Sequence, residues 1–339
     1  MPANTSQSRQ LNPICQLQTQ AGFESQASAS GQEIVAAVSG LAQSPDLIGL
    51  RATLIVAVAV YGLTLGATAL LDVRAPILEG VPLCLGPAAF LCFYSRLVFP
   101  RAIRAAQAIE AAFLIVVLGL SLACLSYVCA IADLPLRDKE MIWIDRHLGF
   151  DWLQIMRGLD RRSLVLCLLD GAYSTFTSQL IGTVLVLVIA KRTRELDRFF
   201  VTFVCASVMA EIASVLVPTL GPMSSLAGSA QFANLSTVGR TTSDIVLALR
   251  QGALKAIDLD AINGIISFPS LHAAVAVIVP FTLRWNKSLL WPVVVLDTVM
   301  FISAVPSGNH YLADVVGGFA VAVLAIVCGW RIQASLDRL

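Results

Sequence analysis

Eight apolar runs, each approaching or reaching the roughly 20 residues a helix needs to cross a bilayer, constrain this chain more than any other feature. They fall at about 48 to 71, 80 to 99, 108 to 132, 164 to 190, 196 to 218, 269 to 284, 288 to 306 and 310 to 330. Hydrophobic residues make up 57% of the 339 and charged residues 13%, against about a quarter charged in soluble domains. Mean hydropathy is +0.79. The expected fold is all-α, a polytopic transmembrane helix bundle of about eight spans. Pro82, Gly86, Pro87 and Arg96 interrupt the second run, and the run at 269 to 284 is short.

Basic residues gather in the short loops: Arg96, Arg101 and Arg104; Lys191, Arg192, Arg194 and Arg198; Arg284 and Lys287; Arg331 and Arg338. Eight alternating spans put all four clusters and both termini on one side, the cytoplasmic one by the positive-inside rule. The other side receives two long segments, 133 to 163 and 219 to 268. The first carries Trp143, Leu148, Phe150, Trp152 and Ile155 among charges, the pattern of helices lying in the interface with an aromatic side toward lipid, and reads as a lid. The expected organisation is a disordered, Gln- and Ser-rich cytosolic tail to residue 46, with a short amphipathic helix at Glu33 to Leu41, and then three accessory spans to 132. The interfacial segment follows to 163, a catalytic core to 330 and a cytosolic tail to 339.

A net charge of +1 gives no basic face for nucleic acid. Cys84, Cys92, Cys124, Cys129, Cys167, Cys205 and Cys328 lie in apolar stretches, Cys15 sits in the polar tail, and no C-x-x-C pair occurs. They read as packing residues rather than metal or redox groups.

Of three histidines, two occupy comparable positions: His272 in Ser267-Phe268-Pro269-Ser270-Leu271-His272 and His310 in Pro306-Ser307-Gly308-Asn309-His310. Pro269 suits a first helical turn, and Ser307 is a natural N-cap for the last span. The span between them returns the chain, so both helix starts open on the same face. Unpaired N–H groups and the positive dipole end make such starts anion sites, with phosphate the obvious guest. Imidazoles at the rim can serve as nucleophile and proton donor. Asp314, at i+4 from His310, can face that ring and hold one nitrogen protonated. Asp170, Glu211 and Asp297 also lie within spans, and for Asp170 and Glu211 packing and a headgroup path are equally good accounts. His147 reads as interfacial.

Phe268-Pro269-Ser270-Leu271-His272 resembles the second motif of the type 2 phosphatidic acid phosphatase superfamily, and Ser303 through His310 to Asp314 resembles the third. Phe-Pro-Ser-x-His-Ala, the His310 to Gly318 string, Leu148-Gly149-Phe150-Asp151-Trp152 and Pro218-Thr219-Leu220-Gly221-Pro222 are most similar to a bacterial branch related to inositol phosphorylceramide synthases. The resemblance covers residues 140 to 330. It implies that His310 attacks phosphorus, that Asp314 orients it, and that His272 protonates the departing oxygen and then activates water or an alcohol. It also implies phosphate contacts from Ser270 and its neighbouring amides, with Ser303 in the serine slot of the third motif. No cofactor or metal is expected, and the implied partners are a lipid phosphate and the membrane lipids, in a bacterial inner membrane with the site outside.

The departures matter. Leu271 replaces the usual glycine, so that backbone must avoid positive φ, as helical geometry does. Ala304 fills the third motif's arginine slot, and no clear first motif is found. Arg250, on the outer segment leading into the second motif, is the expected phosphate-binding cation, ahead of Arg240 and Lys255; the expectation is that Arg250→Lys impairs turnover far more than Arg240→Lys. Hydrolysis stands slightly ahead of inositolphosphotransferase-like transfer. A transporter or scaffold is the alternative from another class, although no internal repeat or paired broken helices support it.

Overall fold

The computed structural model describes residues 45–76, 103–228, 230–257 and 264–336. The N-terminal tail with its expected amphipathic helix, and the second apolar run, lie outside these residues. The chain divides into two compact units, Met1–Arg51 and Ala52–Leu339, and the second holds every site discussed below.

The helices are α1 (Pro45–Leu70), α2 (Ile103–Ile131), α3 (Asp138–His147), α4 (Trp152–Leu159), α5 (Ser163–Ser174), α6 (Phe176–Ile189), α7 (Thr193–Leu216), α8 (Pro222–Ser225), α9 (Val238–Arg250), α10 (Leu271–Leu283), α11 (Lys287–Ser303) and α12 (Leu312–Leu336). No named strand occurs among the described residues. Helix α7 lies against α2, α10 and α12, and α10 also packs on α11 and α12. In α7, Leu196, Phe199, Phe200, Phe203 and Ala206 are buried at helical spacing. Consecutive burial of Ala273, Ala274, Val275 and Ala276 puts α10 in the middle of the bundle, since a helix apolar on all sides is a buried one.

Two small residues on α12 let it approach closely. A Cβ on Gly318 would lie 2.2 Å from the Ser270 carbonyl oxygen, and one on Gly329 would lie 2.4 Å from Thr202 Oγ1. Glycine at 318 therefore sets how near the starts of α10 and α12 come to each other.

Eight spans are not confirmed among the described residues, which leave out the second apolar run. Among the described residues three helices are long and apolar enough to cross a membrane: Gln107–Ile131, Thr193–Leu216 and Leu312–Ser335. A fourth arises if α5 and α6, bent by 48° at Thr175, form one broken span. Helix α10 has 13 residues, about 20 Å of helix against a hydrocarbon core of about 30 Å. Its apolar sequence comes from burial inside the bundle. Helix α11 has 17 residues and carries Lys287 and Asp297.

The 133 to 163 segment does form two short helices, but they are not uniformly aromatic toward lipid. Trp143 is exposed, whereas Trp152 is fully buried and donates from Nε1 to the Val305 carbonyl at 3.2 Å.

Candidate active site

His310 and His272 come together at the starts of α12 and α10, with ring centroids 6.2 Å apart. His310 is 1% exposed, and its Nδ1 lies 2.7 Å from the Ser267 carbonyl oxygen. A carbonyl can only accept, so Nδ1 carries the hydrogen and, in the neutral ring, Nε2 carries the lone pair. Nε2 is buried with no hydrogen-bond partner. Unsatisfied buried polar atoms are rare enough to need a reason, and here Asn309 Oδ1 and Asp314 Oδ1 share the condition.

Asp314 does not hold the ring directly. Its Oδ2 is 3.8 Å from His310 Nδ1, beyond a hydrogen bond, because that oxygen accepts the Tyr311 N–H at 2.8 Å and lies 3.1 Å from the Ser267 hydroxyl. That hydroxyl is also 2.6 Å from the Asn309 carbonyl oxygen. The sequence spacing puts the acid on the correct face, but the amide of Tyr311, the residue just before its own helix, competes for it. The orienting contact comes instead from Ser267, a backbone acceptor that side-chain pattern does not reveal.

His272 is half-buried. Its ring stacks on Tyr173 at 3.8 Å with 9° between planes, and Phe176 lies 4.5 Å away. Tyr173 and Phe176 flank the bend at Thr175, so the break between α5 and α6 turns two rings onto one histidine. Neither was visible as a site residue in the sequence.

The helix starts differ from expectation. Ser270, not Pro269, begins α10: its hydroxyl oxygen accepts from Ala273 N at 3.3 Å, with Leu271 as the first helical residue. Leu271 does not adopt positive φ. The Ser270 amide donates to the Asp314 carbonyl at 2.9 Å, tying the two helix starts. Ser307 does not cap α12, since its hydroxyl donates back to Ala304 O and four residues separate it from the helix. The cap comes from another element: Asp145 on α3 accepts from Leu312 N at 3.0 Å and Ala313 N at 2.9 Å. Asp138, about two turns earlier on the same face of α3, accepts from Leu220 and Gly221 amides and from the Tyr311 hydroxyl at 2.9 Å. The expected lid thus fixes the helix that presents His310.

Burial pushes the Asp145 carboxyl above the usual carboxylate range, against the pull of the Ala313 and Leu312 amides. Burial acts in the same upward sense on Asp160, but there the amides of Ala233, Asn234 and Leu235 prevail and hold the carboxyl low.

Ser303 is buried and donates to Met300 O. Ala304 is fully buried in a cluster with Trp152, Met223 and Val305, so the space an arginine would need is filled by side chains. Arg250 is not brought to the histidines. Its guanidinium pairs with Asp133 at 2.8 Å and donates to the carbonyls of Ala132 and Leu134. The other end of α9 is the one at the site: Gly239 N donates to Ser307 O, and a Cβ on Gly239 would overlap the Gly308 carbonyl at 2.2 Å. Arg250 lies eleven residues further on, about 16 Å of helix, beyond the reach of one side chain. Arg240 is adjacent to Gly239 and exposed. Among the described residues no group of three or more His, Cys, Asp or Glu is arranged to hold a metal ion.

Apolar helices of membrane-spanning length, with buried His310 and half-buried His272 at two adjacent helix starts, are consistent with an integral membrane protein of the all-α class. Residues 139–328 match the PAP2 superfamily, and the chain belongs to that superfamily. Membership points to phosphatase or phosphotransferase activity and to lipid phosphates as the substrate class. Comparison with curated proteins and with solved structures gives no match.

Proposed function

We propose that the protein cleaves a lipid-linked phosphate through a phosphohistidine on His310, at the outer face of the membrane and without a metal. The observation that carries this reading is the state of His310: Nδ1 is committed to Ser267 O and Nε2 is left unpartnered beside His272. Nε2 attacks phosphorus, and the N–P bond forms as the P–O bond to the lipid alcohol breaks. Protonated His272 gives its proton to the departing oxygen. Neutral His272 then takes a proton from water, whose oxygen attacks phosphorus; the N–P bond breaks, inorganic phosphate leaves, and both histidines return to their starting forms. Asp314, 3.8 Å from Nδ1, stabilises the positive charge that develops on the ring.

Ser270 retains its O–H hydrogen, because its oxygen only accepts in the cap, and so can donate to a phosphate oxygen. Ser303 has spent its hydrogen on Met300 O and can contribute only by exchanging that bond. Arg240, beside the Gly239–Gly308 contact, takes the cation role that the sequence assigned to Arg250.

A specific observation favours transfer to a lipid hydroxyl as the second reading. Two of the four strings similar to inositol phosphorylceramide synthases approach the loop before His310: Trp152 bonds Val305 O, and beside Gly221-Pro222 the Met223 amide donates to Gly308 O at 3.1 Å. An alcohol in place of water in the second step gives transfer with the same residues.

The test is release of inorganic phosphate from a long-chain phosphate monoester by purified wild type and His310→Ala, with chelator present and with or without a lipid alcohol. Chelator-insensitive release lost in the variant is expected; the alcohol product reports transfer. No turnover by either protein on several lipid phosphates would sink the enzyme reading in favour of a transporter or scaffold.

A further inference from the structure

We propose that the end of the bundle opposite the histidines holds a second anion site, which takes the phosphate group of an anionic membrane lipid. It stands independently of the histidine chemistry. A cavity of about 170 Å³ there is lined by Glu195, Arg198 and Thr202 from α7, by Arg284 and Trp285 after α10, and by Trp330 from α12. That volume equals five or six waters of liquid at about 30 Å³ each, room for a phosphate. His272 and Arg284 are twelve residues apart along α10, about 18 Å, so one ligand group cannot serve both places.

Two arginines line this cavity against one carboxylate. The guanidinium carbons of Arg198 and Arg284 lie 5.9 and 5.5 Å from the centroid of the same Trp330 ring, so two like charges are held against one face of the molecule. Glu195 is engaged by Arg192 at 3.1 Å, and no other carboxylate among the described residues forms a salt bridge with Arg198 or Arg284. Two donors, Arg198 Nε and Trp285 Nε1, are buried without any acceptor.

Interfacial arginines and tryptophans often serve only as anchors, with the charged head extended into water. That account covers Arg284, which is exposed. It leaves Arg198 Nε and Trp285 Nε1 unexplained, because both are buried without an acceptor although their residues are half-buried. A group with several strong acceptor oxygens and negative charge separates the two guanidinium charges, and a small shift of the two half-buried side chains brings their donors to it, which is what a phosphate offers. A lipid is the favoured source because Trp330, which lines the cavity, and Val327, one turn before it on α12, expose apolar surface suited to acyl chains.

The experiment follows thermal unfolding and tryptophan fluorescence of the full chain in phosphatidylcholine nanodiscs, with and without phosphatidylglycerol, and separately with inorganic phosphate. Phosphatidylglycerol should raise the Tm of wild type and of His310→Ala alike, by roughly 3 °C, and Arg198→Gln/Arg284→Gln should lose that rise. Trp285→Phe keeps the charges and the ring and removes one donor; it should weaken lipid binding about tenfold and decides the matter if the double variant does not fold. An equal rise from inorganic phosphate alone would assign the site to free phosphate. No rise in wild type, a rise undiminished in the variants, or a rise abolished by His310→Ala would each overturn the proposal.

Discussion

The Asp145 carboxylate on α3 accepts the Leu312 amide at 3.0 Å and the Ala313 amide at 2.9 Å, so a residue 165 positions upstream of His310 caps the helix that presents it. Helix starts leave amides unpaired, and a side-chain cap is worth about 1 to 2 kcal/mol. Asp145→Ala should therefore destabilise the protein by about that amount, and lower turnover more than stability because the lost cap is two residues from His310. Thermal unfolding and phosphate release on the same samples check both; unaltered turnover at reduced Tm would confine Asp145 to folding.

The two histidines should separate kinetically. His310→Ala removes the attacking nitrogen and should leave no measurable phosphate release. His272→Ala removes only proton transfer and should slow release by roughly 10²- to 10⁴-fold, with acid-labile phosphate building up on His310 when the second step is the slower one. Radiolabelled substrate and acid quench measure it, and label retained by His310→Ala would contradict the assignment.

Arg240 and Arg250 should behave in the reverse order to that expected from sequence. Arg240→Ala should reduce kcat/KM by about tenfold or more, the cost of one charge-assisted contact. Arg250→Ala should mainly loosen the 132–134 segment that it holds, lowering Tm with a smaller effect on kcat/KM. A larger kinetic loss for Arg250 would restore the original assignment.

Gly318→Ala places a methyl group 2.2 Å from the Ser270 carbonyl oxygen. Overpacking of this kind costs about 1 to 3 kcal/mol, and here it pushes apart the two helix starts that bring the histidines together. Activity should fall along with Tm. Gly182→Ala, which meets nothing within 4 Å, is the comparison that should leave both unchanged.

Asp160 accepts the Ala233, Asn234 and Leu235 amides at 2.8 Å each. A carboxyl held low in the folded state contributes stability that is fully present above its unfolded value of about 3.9 and is lost as pH falls through the folded value. Amide exchange at 233–235, corrected for its intrinsic pH dependence, should lose protection in that acid window. Asp160→Asn should show weakened protection already at neutral pH; full protection there would remove the role.

The sequence by itself determined the class of the molecule and singled out the two histidines on which the proposed mechanism rests. Apolar run length forces helices into a membrane, and the strings around His272 and His310 carry their local chemistry within a few residues, so both survive without any knowledge of packing. Span count was less legible, because a 13-residue apolar helix such as α10 reads the same whether lipid or other helices surround it. Long-range partners were illegible. That Asp145 rather than Ser307 caps α12, that Ser267 O rather than Asp314 holds the His310 ring, and that Gly239 rather than Arg250 meets the site loop were decided by tertiary structure. The physical reason is the same in each case: several groups along the chain can satisfy a given amide or imidazole, and only the packing of α3, α9 and α10 around the start of α12 selects the one within bonding distance.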